Sequence, residues 1–464
     1  MVGSDFLALD IGAAPARGRA AWLATKIRAA IDDGRLRAGD RLPATRVLAA
    51  DLGVSRGVVV AAYERLAGQG LVLGRTGGGT AVTTTGAALA SGRADRVLLR
   101  RPAASTDLDL SPGVPDLSAF PRSAWLRAEK AVLAQARATD LGYGDVRGHV
   151  ALRTALSRWL ARTRGVRVEP DGVVVVAGVA QALALLWRVL GARGVTEAAV
   201  EDPGSRGARE QLESWGIHAV GVPVDADGAR IERIPDGVTT VMLTPAHQFP
   251  VGVVLAPERR RALLDRLVAT GGLLVEDDYD AEHRYDRPPV VALQGAAPDH
   301  VAHTGSTSKT LAPGMRLGWL VPPPRLLDEL VQARHDADLG SPALPQLVLA
   351  RLLDSGDYDT HLRRVRRRQR LRRDAVVESV RRHLPRAEVT GVAAGLHVLV
   401  LLPHEVDDVT VAQRAASSGV IVHPLSRHRL RHDPQHRPGL VLGYAAHPPD
   451  RLDAAIRAIG EAIR

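Results

Sequence analysis

The chain of 464 residues is long enough for two or three folded domains, and it contains no cysteine, which excludes disulfide frameworks, cysteine-ligated zinc and thiol nucleophiles. Its formal charge of +10 is typical of proteins that bind polyanions such as nucleic acid, with a genomic bias towards arginine as the alternative explanation. The first ten residues lack a cationic segment and the longest charge-free stretch is too short to cross a bilayer, so we expect a soluble cytoplasmic protein with no membrane partner.

The N-terminal part of the chain has the pattern of a small helical unit followed by a β-ribbon. Apolar residues at helical spacing predict helices over residues 19–33, 45–52 and 55–68. Only the pair at 53–54 separates the second helix from the third, which is helix-turn-helix spacing. Two short strands around a glycine-rich tip follow within residues 71–82 and predict a wing.

The third predicted helix is the one that would enter the major groove of DNA. Arg56 at its start is placed to contact a guanine, and Arg46 and Ser55 to contact phosphates. The alternative is a protein-docking module with a solvated Arg56. Residues 42–59, LPATRVLAADLGVSRGVV, and the wing sequence RTGGGT resemble the GntR-type winged helix. The resemblance implies binding to double-stranded operator DNA through Arg46, Ser55, Arg56, Gly57 and Arg75.

The rest of the chain begins after a segment of small residues and arginines, residues 83–107, which predicts a linker. Beyond it, apolar β-branched runs alternate with helical runs, and this alternation predicts a doubly wound, mostly parallel sheet. A long arginine-rich helix over about 359–383 then leads into a smaller α/β lobe. Its eight arginines within 363–373 are either a solvated helix face or a second contact to DNA. The predicted strands of the large sheet lie within residues 173–178, 198–202, 239–245, 271–280 and 300–309.

Only three of the 61 basic residues are lysines, and one of them, Lys309, lies in a sequence typical of an active-site loop. It follows a predicted strand in TGSTSKTLAPGMRLGW, beside hydroxyl side chains and an arginine. A strand-end lysine in such surroundings suggests a Schiff base to pyridoxal 5'-phosphate (PLP). The segment EDDYD ends another predicted strand. We therefore expect Asp277 to hold the proton of the pyridine nitrogen and Tyr279 to bond to the phenolic oxygen.

These segments resemble fold-type I aminotransferases, and the order of winged helix, linker and aminotransferase-like domain resembles the MocR subfamily of GntR regulators over nearly the whole chain. The resemblance implies an α/β protein with an N-terminal winged helix-turn-helix, residues 1–82, a linker, residues 83–107, and a PLP-binding aminotransferase-like domain, residues 108–464. The large domain would consist of a doubly wound, mostly parallel sheet and a small C-terminal lobe, about 360–464.

The same resemblance assigns the cofactor residues. Lys309 is the Schiff-base lysine, and His247 and Gln248 should lie near the phenolate together with Tyr279. Tyr143 matches a tyrosine that reaches the phosphate of the neighbouring subunit, which implies a homodimer. The phosphate would be bound by Ser306, Ser308, Arg316 and the backbone N–H groups of Gly178 and Val179, where a helix begins.

Three departures from the family pattern affect the function. Ala177 and Val179 replace the hydroxyl residues that usually flank the phosphate-loop glycine, and Ser205 replaces the aromatic residue that stacks on the cofactor ring. The arginine that binds the substrate carboxylate in aminotransferases should fall near Leu440, and the nearest arginine is Arg437. We therefore expect a lowered affinity for PLP and inefficient transamination.

The sequence predicts a PLP-dependent transcriptional regulator whose aminotransferase-like domain senses PLP or a PLP–amine adduct. Physiological turnover is left open. One alternative is an active aminotransferase with an accessory DNA-binding domain, and another is a regulator that uses the large domain only to dimerise. The effector would be PLP, an amine or an amino acid. The C-terminal histidines lack metal-ligand spacing, so no metal is expected.

Overall fold

In the computed structural model, the described residues are 7, 9, 11–15, 18–75, 79–83, 108–286, 290–430 and 436–464. The predicted linker, residues 83–107, lies outside the described residues except for Thr83. The chain divides into two compact units, Met1–Pro102 and Ala103–Arg464. Within the described part of the chain, no helix is both long enough and apolar enough to span a membrane.

The N-terminal unit packs three helices against a small antiparallel sheet. Its helices are α1 (Arg19–Asp32), α2 (Thr45–Asp51) and α3 (Arg56–Gly68), and its strands are β1 (Arg41–Leu42), β2 (Val72–Arg75) and β3 (Gly79–Val82), in the order β1-β3-β2. Leu23 and Ile27 on α1 and Val59 and Leu66 on α3 are fully buried. These side chains recur at helical spacing, so one face of each helix forms the core.

The predicted helix-turn-helix is present, with α2 and α3 separated by a four-residue connection. Gly53 in this turn has a φ of 62°, a conformation that glycine adopts without steric cost. The N–H of Val54 donates to the carbonyl of Ala49 at 3.0 Å and closes the turn. Ser55 occupies the N-cap position of α3 but makes no side-chain capping hydrogen bond. Its hydroxyl is therefore not committed to the helix end.

The C-terminal unit consists of a large sheet, a smaller sheet and the helices that cover them. The strands are β4 (Leu108–Asp109), β5 (Val174–Val176), β6 (Glu197–Asp202), β7 (His218–Asp225), β8 (Gly228–Ala229), β9 (Thr240–Leu243), β10 (Leu273–Asp277), β11 (Val301–Ser306), β12 (Gly318–Val321), β13 (Glu388–Thr390), β14 (His397–Leu401), β15 (Val420–Ile421), β16 (His423–Pro424) and β17 (Gly439–Gly443). The helices are α4 (Arg122–Gln135), α5 (Val150–Arg164), α6 (Val179–Ala192), α7 (Arg206–Ser214), α8 (Pro257–Thr270), α9 (Pro324–Asp338), α10 (Ala343–Asp354), α11 (Asp357–His383), α12 (Asp408–Ser417) and α13 (Pro449–Ile463).

The large sheet has the order β5-β12-β11-β10-β9-β6-β7-β8, and its central strands are parallel. Both faces are buried: Val175 belongs to one core cluster and Val174 and Val176 to another. Such continuous apolar strands are typical of a sheet covered on both sides, so the predicted mostly parallel, doubly wound architecture is confirmed. The predicted strands do not include β7, β8 or β12, and β12 runs antiparallel to β11 and β5. This strand of four residues overlaps the end of the lysine motif, so the sequence does not separate it from the predicted loop.

The small C-terminal lobe contains an antiparallel sheet with the order β13-β14-β17-β16. One face of this sheet packs with α11, α12 and α13 around residues such as Val398, Leu440 and Ile456. β15 pairs in parallel with β4, so the first strand of the unit is attached to this lobe.

The run of eight arginines at 363–373 in helix α11 is divided between solvent and protein. Arg372 is buried, and both it and Arg368 bind the carboxylate of Asp116, at 2.9 and 2.8 Å. The exposed arginines of this run are Arg363, Arg364, Arg367 and Arg370. The solvated-face hypothesis therefore holds for only half of the run, and the DNA contact stays a prediction for the exposed half.

Candidate functional site

The predicted DNA-binding residues lie mainly where α2 meets the start of α3. The exposed residues at this corner are Arg46, Ser55, Arg56 and Gly57. Nε of Arg56 lies 3.4 Å from the hydroxyl oxygen of Thr45, to which it donates a hydrogen bond. Arg75 ends β2, and its side chain and the wing tip that follows lie outside the described residues. Four of the five predicted residues thus share one exposed surface.

The amine of Lys309 is held by a backbone carbonyl that sequence reasoning missed. Nζ donates to the carbonyl of Gly113 at 2.5 Å. Gly113 has a φ of 82°, and a Cβ at this position would lie 3.0 Å from Nζ. Glycine therefore permits both the backbone conformation and the close approach of the amine. A single glycine 196 residues away carries no recognisable signal in the sequence.

Asp277 lies at the same edge of the large sheet as Lys309. It ends β10 and pairs with Thr304 of the parallel strand β11, which leads to the lysine. Its Oδ1 is buried and has no hydrogen-bond partner among the described residues. Burial, together with Asp278 and Asp280, raises the pKa of Asp277 to about 7, although the charge of Lys309 opposes the shift. An unpartnered buried carboxyl oxygen is unfavourable, so this atom fits a ligand group that donates a hydrogen bond.

Tyr279, His247 and Asp280 form a hydrogen-bonded group beside Asp277. The hydroxyl of Tyr279 lies 3.1 Å from Nδ1 of His247, and the same nitrogen lies 2.9 Å from Oδ2 of Asp280. Burial, followed by the charge of Asp280, raises the pKa of Tyr279 well above its usual value. Burial would also raise the pKa of Asp280, but His247 and His397 hold it below its usual value. The tyrosine therefore remains a neutral hydrogen-bonding group.

The side chain of Gln248 connects two loops by hydrogen bonds to their backbone. Its amide nitrogen donates to the carbonyls of Pro203 and Phe249 at 2.9 and 2.6 Å. Its Oε1 accepts from the N–H of Val251 at 2.9 Å. These bonds satisfy the backbone of the turn that carries His247, and the expected place of Gln248 near the phenolate stays a prediction.

The predicted phosphate-binding residues converge at the start of α6. Gly178 is the N-cap of this helix, with a φ of 118°. A Cβ on Gly178 would lie 3.6 Å from Nη1 of Arg316 and 3.8 Å from Oγ of Ser308. Ser306, which is buried, accepts a hydrogen bond from the N–H of Ser308 at 3.3 Å. Val179 is the first residue of α6, so a helix N-terminus, hydroxyls and a guanidinium surround one small space. This space, formed by Gly178, Val179, Ser308 and Arg316, is called the Gly178 cradle, and its groups are suited to binding a phosphate.

Tyr143 is the predicted cofactor residue that the structure leaves apart from this group. It follows a short 3-10 helix, Ala138–Leu141, and its side chain is 96% exposed. The neighbouring Leu141 and Val150 are also more than half exposed. Such exposure is expected of an aromatic side chain that contacts a neighbouring subunit. The assignment of Tyr143 to the phosphate site of a partner stays a prediction.

The position facing the site where a substrate arginine was expected is Val441, not Leu440. Leu440 points into the core of the small lobe with the helices. Val441 points to the opposite face of β17, where it packs with Phe249 and Leu425. Successive residues of a strand face opposite sides, so of the residues near Leu440 it is Val441 that lies on the face with Phe249. Arg437, the nearest arginine, binds Glu388 at 2.7 Å.

Among the described residues, one group of side chains of the kinds that bind metal ions lies close together: His247, Asp280 and His397. Their ligand atoms lie within 4.8 Å of one another, and all three residues are buried. Nε2 of His397 already lies 3.2 Å from the carbonyl of Pro250, and Nδ1 of His247 contacts Asp280 and Tyr279. Hydrogen bonds thus account for the cluster, and the expectation of no metal stays a prediction.

Two buried carboxyl groups predict how the stability of the ligand-free protein depends on pH. Burial raises the pKa of Glu201 to about 8, against hydrogen bonds from Thr244, and the pKa of Asp277 is about 7. Since both values exceed those of the unfolded chain, folding favours the protonated acids and stability falls as the pH rises. Between about pH 5 and 8, Glu201 alone contributes a slope of at most about 1.4 kcal/mol per pH unit. Denaturant unfolding across this range should show a smaller slope in Glu201→Gln, and an unchanged slope would contradict the assignment.

Two family profiles match the chain in the order that the sequence predicted. The profile of the bacterial regulatory proteins of the gntR family matches residues 20–82, and that of aminotransferase class I and II matches residues 105–459. The predicted winged helix followed by an aminotransferase fold is confirmed by these two matches.

Curated relatives and solved structures extend the likeness over most of the chain. The "Probable rhizopine catabolism regulatory protein MocR" of Rhizobium meliloti is 34% identical and the alignment covers 94% of this chain and 92% of the relative. The HTH-type pyridoxine biosynthesis transcriptional regulator PdxR of Corynebacterium glutamicum is 33% identical, with 95% of each chain covered. The structure of the α-aminoadipate aminotransferase LysN of Thermus thermophilus, complexed with N-(5'-phosphopyridoxyl)-L-leucine, matches with a TM-score of 0.70 and 26% identity over 77% of this chain and 92% of that chain. The kynurenine aminotransferase of Pyrococcus horikoshii, in complex with PMP, matches with a TM-score of 0.71 and 25% identity over 78% and 91%.

Proposed function

We propose that this chain, which belongs to the gntR family of bacterial regulators and to the aminotransferase class I and II family, is a transcriptional regulator of the MocR type that senses PLP or a PLP–amine adduct. The observation that carries the proposal is the unpartnered buried Oδ1 of Asp277 at the sheet edge that also holds Lys309 and the Gly178 cradle. These groups match the pyridine nitrogen, the aldehyde and the phosphate of one cofactor.

Each end of the cofactor would be held by residues of this chain. Arg316 and Ser308 would bind the phosphate at the start of α6, and the carboxylate of Asp277 would accept a hydrogen bond from the protonated pyridine nitrogen. Tyr279, kept neutral by its raised pKa, would donate a hydrogen bond to the phenolic oxygen while His247 and Asp280 orient it. When bound, PLP supplies an aldehyde that reacts with primary amines and a ring that withdraws electrons.

The absence of a cation at Val441 favours a sensor over an efficient enzyme. Val441 lies in an apolar cluster with Leu399 and Leu425, so this strand position has no guanidinium that could bind a carboxylate through two hydrogen bonds. An active aminotransferase with an accessory DNA-binding domain is the alternative, supported by the complete group of Lys309, Asp277 and Tyr279. Turnover of an amine and a keto acid at enzyme-like rates would favour that alternative.

The regulator would act as a homodimer on double-stranded operator DNA. Its exposed Tyr143 would reach the phosphate site of the partner subunit, so that each cofactor would contact two chains. A ligand can change DNA affinity only if it binds two arrangements of the dimer unequally. A cofactor site shared between subunits would meet that requirement.

A methyl group placed in the phosphate cradle tests the proposal. Gly178→Ala should raise the PLP concentration for half-saturation at least about tenfold, because its Cβ would lie between Arg316 and Ser308, 3.6 and 3.8 Å from their polar atoms, in the space that the phosphate would occupy. The matched control is Gly194→Ala, beyond the other end of α6, where φ is also positive, at 86°, and a Cβ meets nothing within 4 Å. Fluorescence anisotropy of labelled DNA from upstream of its own coding region reports the response.

In wild type and Gly194→Ala, PLP should change the affinity for this DNA at the same concentration. In Gly178→Ala the same change should need the higher concentration. If the DNA affinity of the wild type is independent of PLP and of added amines, the sensor proposal is wrong.

A further inference from the structure

His428 is a buried histidine whose ring nitrogens make no hydrogen bond to the described residues. It ends a short 3-10 helix, Leu425–His428, and is 4% exposed. Neither Nδ1 nor Nε2 has a hydrogen-bond partner among the described residues. Because an imidazole has a hydrogen-bonding nitrogen at each side of the ring, burying both without partners is costly. Such a group indicates a ligand that supplies the missing contacts.

The ring of His428 is connected to the cofactor site through one aromatic side chain. Phe249 contacts it edge-on, with centroids 5.1 Å apart, and also contacts Tyr279, with centroids 6.2 Å apart. The backbone carbonyl of His428 accepts from the N–H of Gly204 at 2.9 Å, next to Ser205, which replaces the ring-stacking residue. His428 therefore lies one side chain beyond the phenol-binding group, on the side of the small lobe.

His423 lies beside His428 and next to the strand position that lacks the arginine. The two imidazoles have centroids 5.5 Å apart. His423 pairs directly with Val441 across β16 and β17. Where an aminotransferase presents a guanidinium to the carboxylate of its substrate, this face therefore presents a valine with two imidazoles beside it.

The charge state of His428 excludes a simple replacement of the arginine. Burial, followed by His423 and Arg427, lowers the pKa of His428 to about 3, so the ring is neutral near pH 7. A neutral imidazole donates one hydrogen bond and accepts another, which matches a hydroxyl or an amide rather than a carboxylate.

We propose that His428, with His423 beside it, binds an uncharged hydrogen-bonding group at the far end of the effector, and that the effector is a primary amine carrying a hydroxyl or an amide. This inference rests on the proposed function, since the amine end would be held at Lys309. It assigns ligand selectivity to two residues outside the cofactor-binding group.

The test uses the full-length protein loaded with PLP and three amines of similar length, 4-aminobutan-1-ol, pentan-1-amine and 4-aminobutanoate. They carry a hydroxyl, a methyl and a carboxylate at corresponding positions. The half-saturating concentration of each is read from the change in the visible spectrum of bound PLP and, separately, from the anisotropy of labelled upstream DNA. The wild type should respond to the aminoalcohol at a concentration about tenfold lower than to either other amine.

His428→Phe keeps an aromatic ring against Phe249 but removes both nitrogens, and it should make the aminoalcohol and the alkylamine equivalent. His428→Gln should recover part of the preference, which a purely structural role would not explain. Equal responses of the wild type to the three amines, a preference for the carboxylate, or no response to any of them would overturn the inference. The proposed function would remain intact if PLP alone still changes the affinity for the labelled DNA. If PLP itself produces no spectrum, the proposed function fails, and the inference fails with it.

Discussion

Lys309→Ala should abolish the visible absorption band that PLP produces when it is titrated into the wild-type protein. The amine of Lys309 lies at the sheet edge beside Asp277 and the Gly178 cradle, and it is the nucleophile that would bond covalently to the cofactor. Without it, PLP is held only by the phosphate and ring contacts. The expected result is complete loss of the lysine-dependent band and of the PLP-dependent change in DNA affinity.

The lysine-poor sequence offers a matched control for this experiment. Lys130, on α4, is exposed, and Lys130→Ala removes an equal charge away from the site. Its absorbance titration should coincide with that of the wild type. A band that survives in Lys309→Ala would place the covalent bond on another amine. If the wild type itself stays colourless, the large domain is a dimerisation scaffold and the cofactor proposal is wrong.

The parts of the site that could be predicted are those formed by residues that lie next to each other in the sequence. A strand end is recognised in a sequence by an apolar run followed by polar side chains. The position of Asp277, Tyr279 and the lysine loop at strand ends could therefore be predicted from the sequence. The turn of the helix-turn-helix was found in the same way, because its spacing and glycine are local features. In both cases the chemistry and the chain geometry lie within one short segment.

The parts that could not be predicted depend on contacts between distant segments. Gly113 holds the amine of Lys309 across 196 residues, and its role rests on a backbone carbonyl that any residue type possesses. The contact of Asp280 with His247 could not be predicted, because the segment EDDYD contains four carboxylates and only the fold determines which of them faces His247. Which residue near Leu440 would take the place of the arginine also depends on the fold, since side chains on a strand alternate between two faces and Val441 is the one that packs with Phe249.

Arg56→Ala should weaken binding to the operator about 10- to 100-fold while barely changing the affinity for unrelated DNA. Arg56 is the first residue of α3, exposed at the corner with α2, and is the predicted contact to a guanine edge. A bidentate arginine–guanine contact contributes about 1–3 kcal/mol of discrimination between bases, which sets the expected range. Titration of labelled operator and of a shuffled fragment of equal length, both by anisotropy, separates the specific from the nonspecific loss.

Arg65→Ala is the control, because it removes the same charge from the exposed last turn of the same helix. Since α3 would enter the groove with its first residues, Arg65 lies far from the bases, and its loss should weaken binding to both fragments by the same small factor. The operator preference should therefore collapse in Arg56→Ala and persist in Arg65→Ala at every salt concentration. If Arg56→Ala lowers both affinities equally, Arg56 contacts only phosphates. If it leaves both unchanged, α3 is not the recognition helix, and the N-terminal unit is a docking module for another protein.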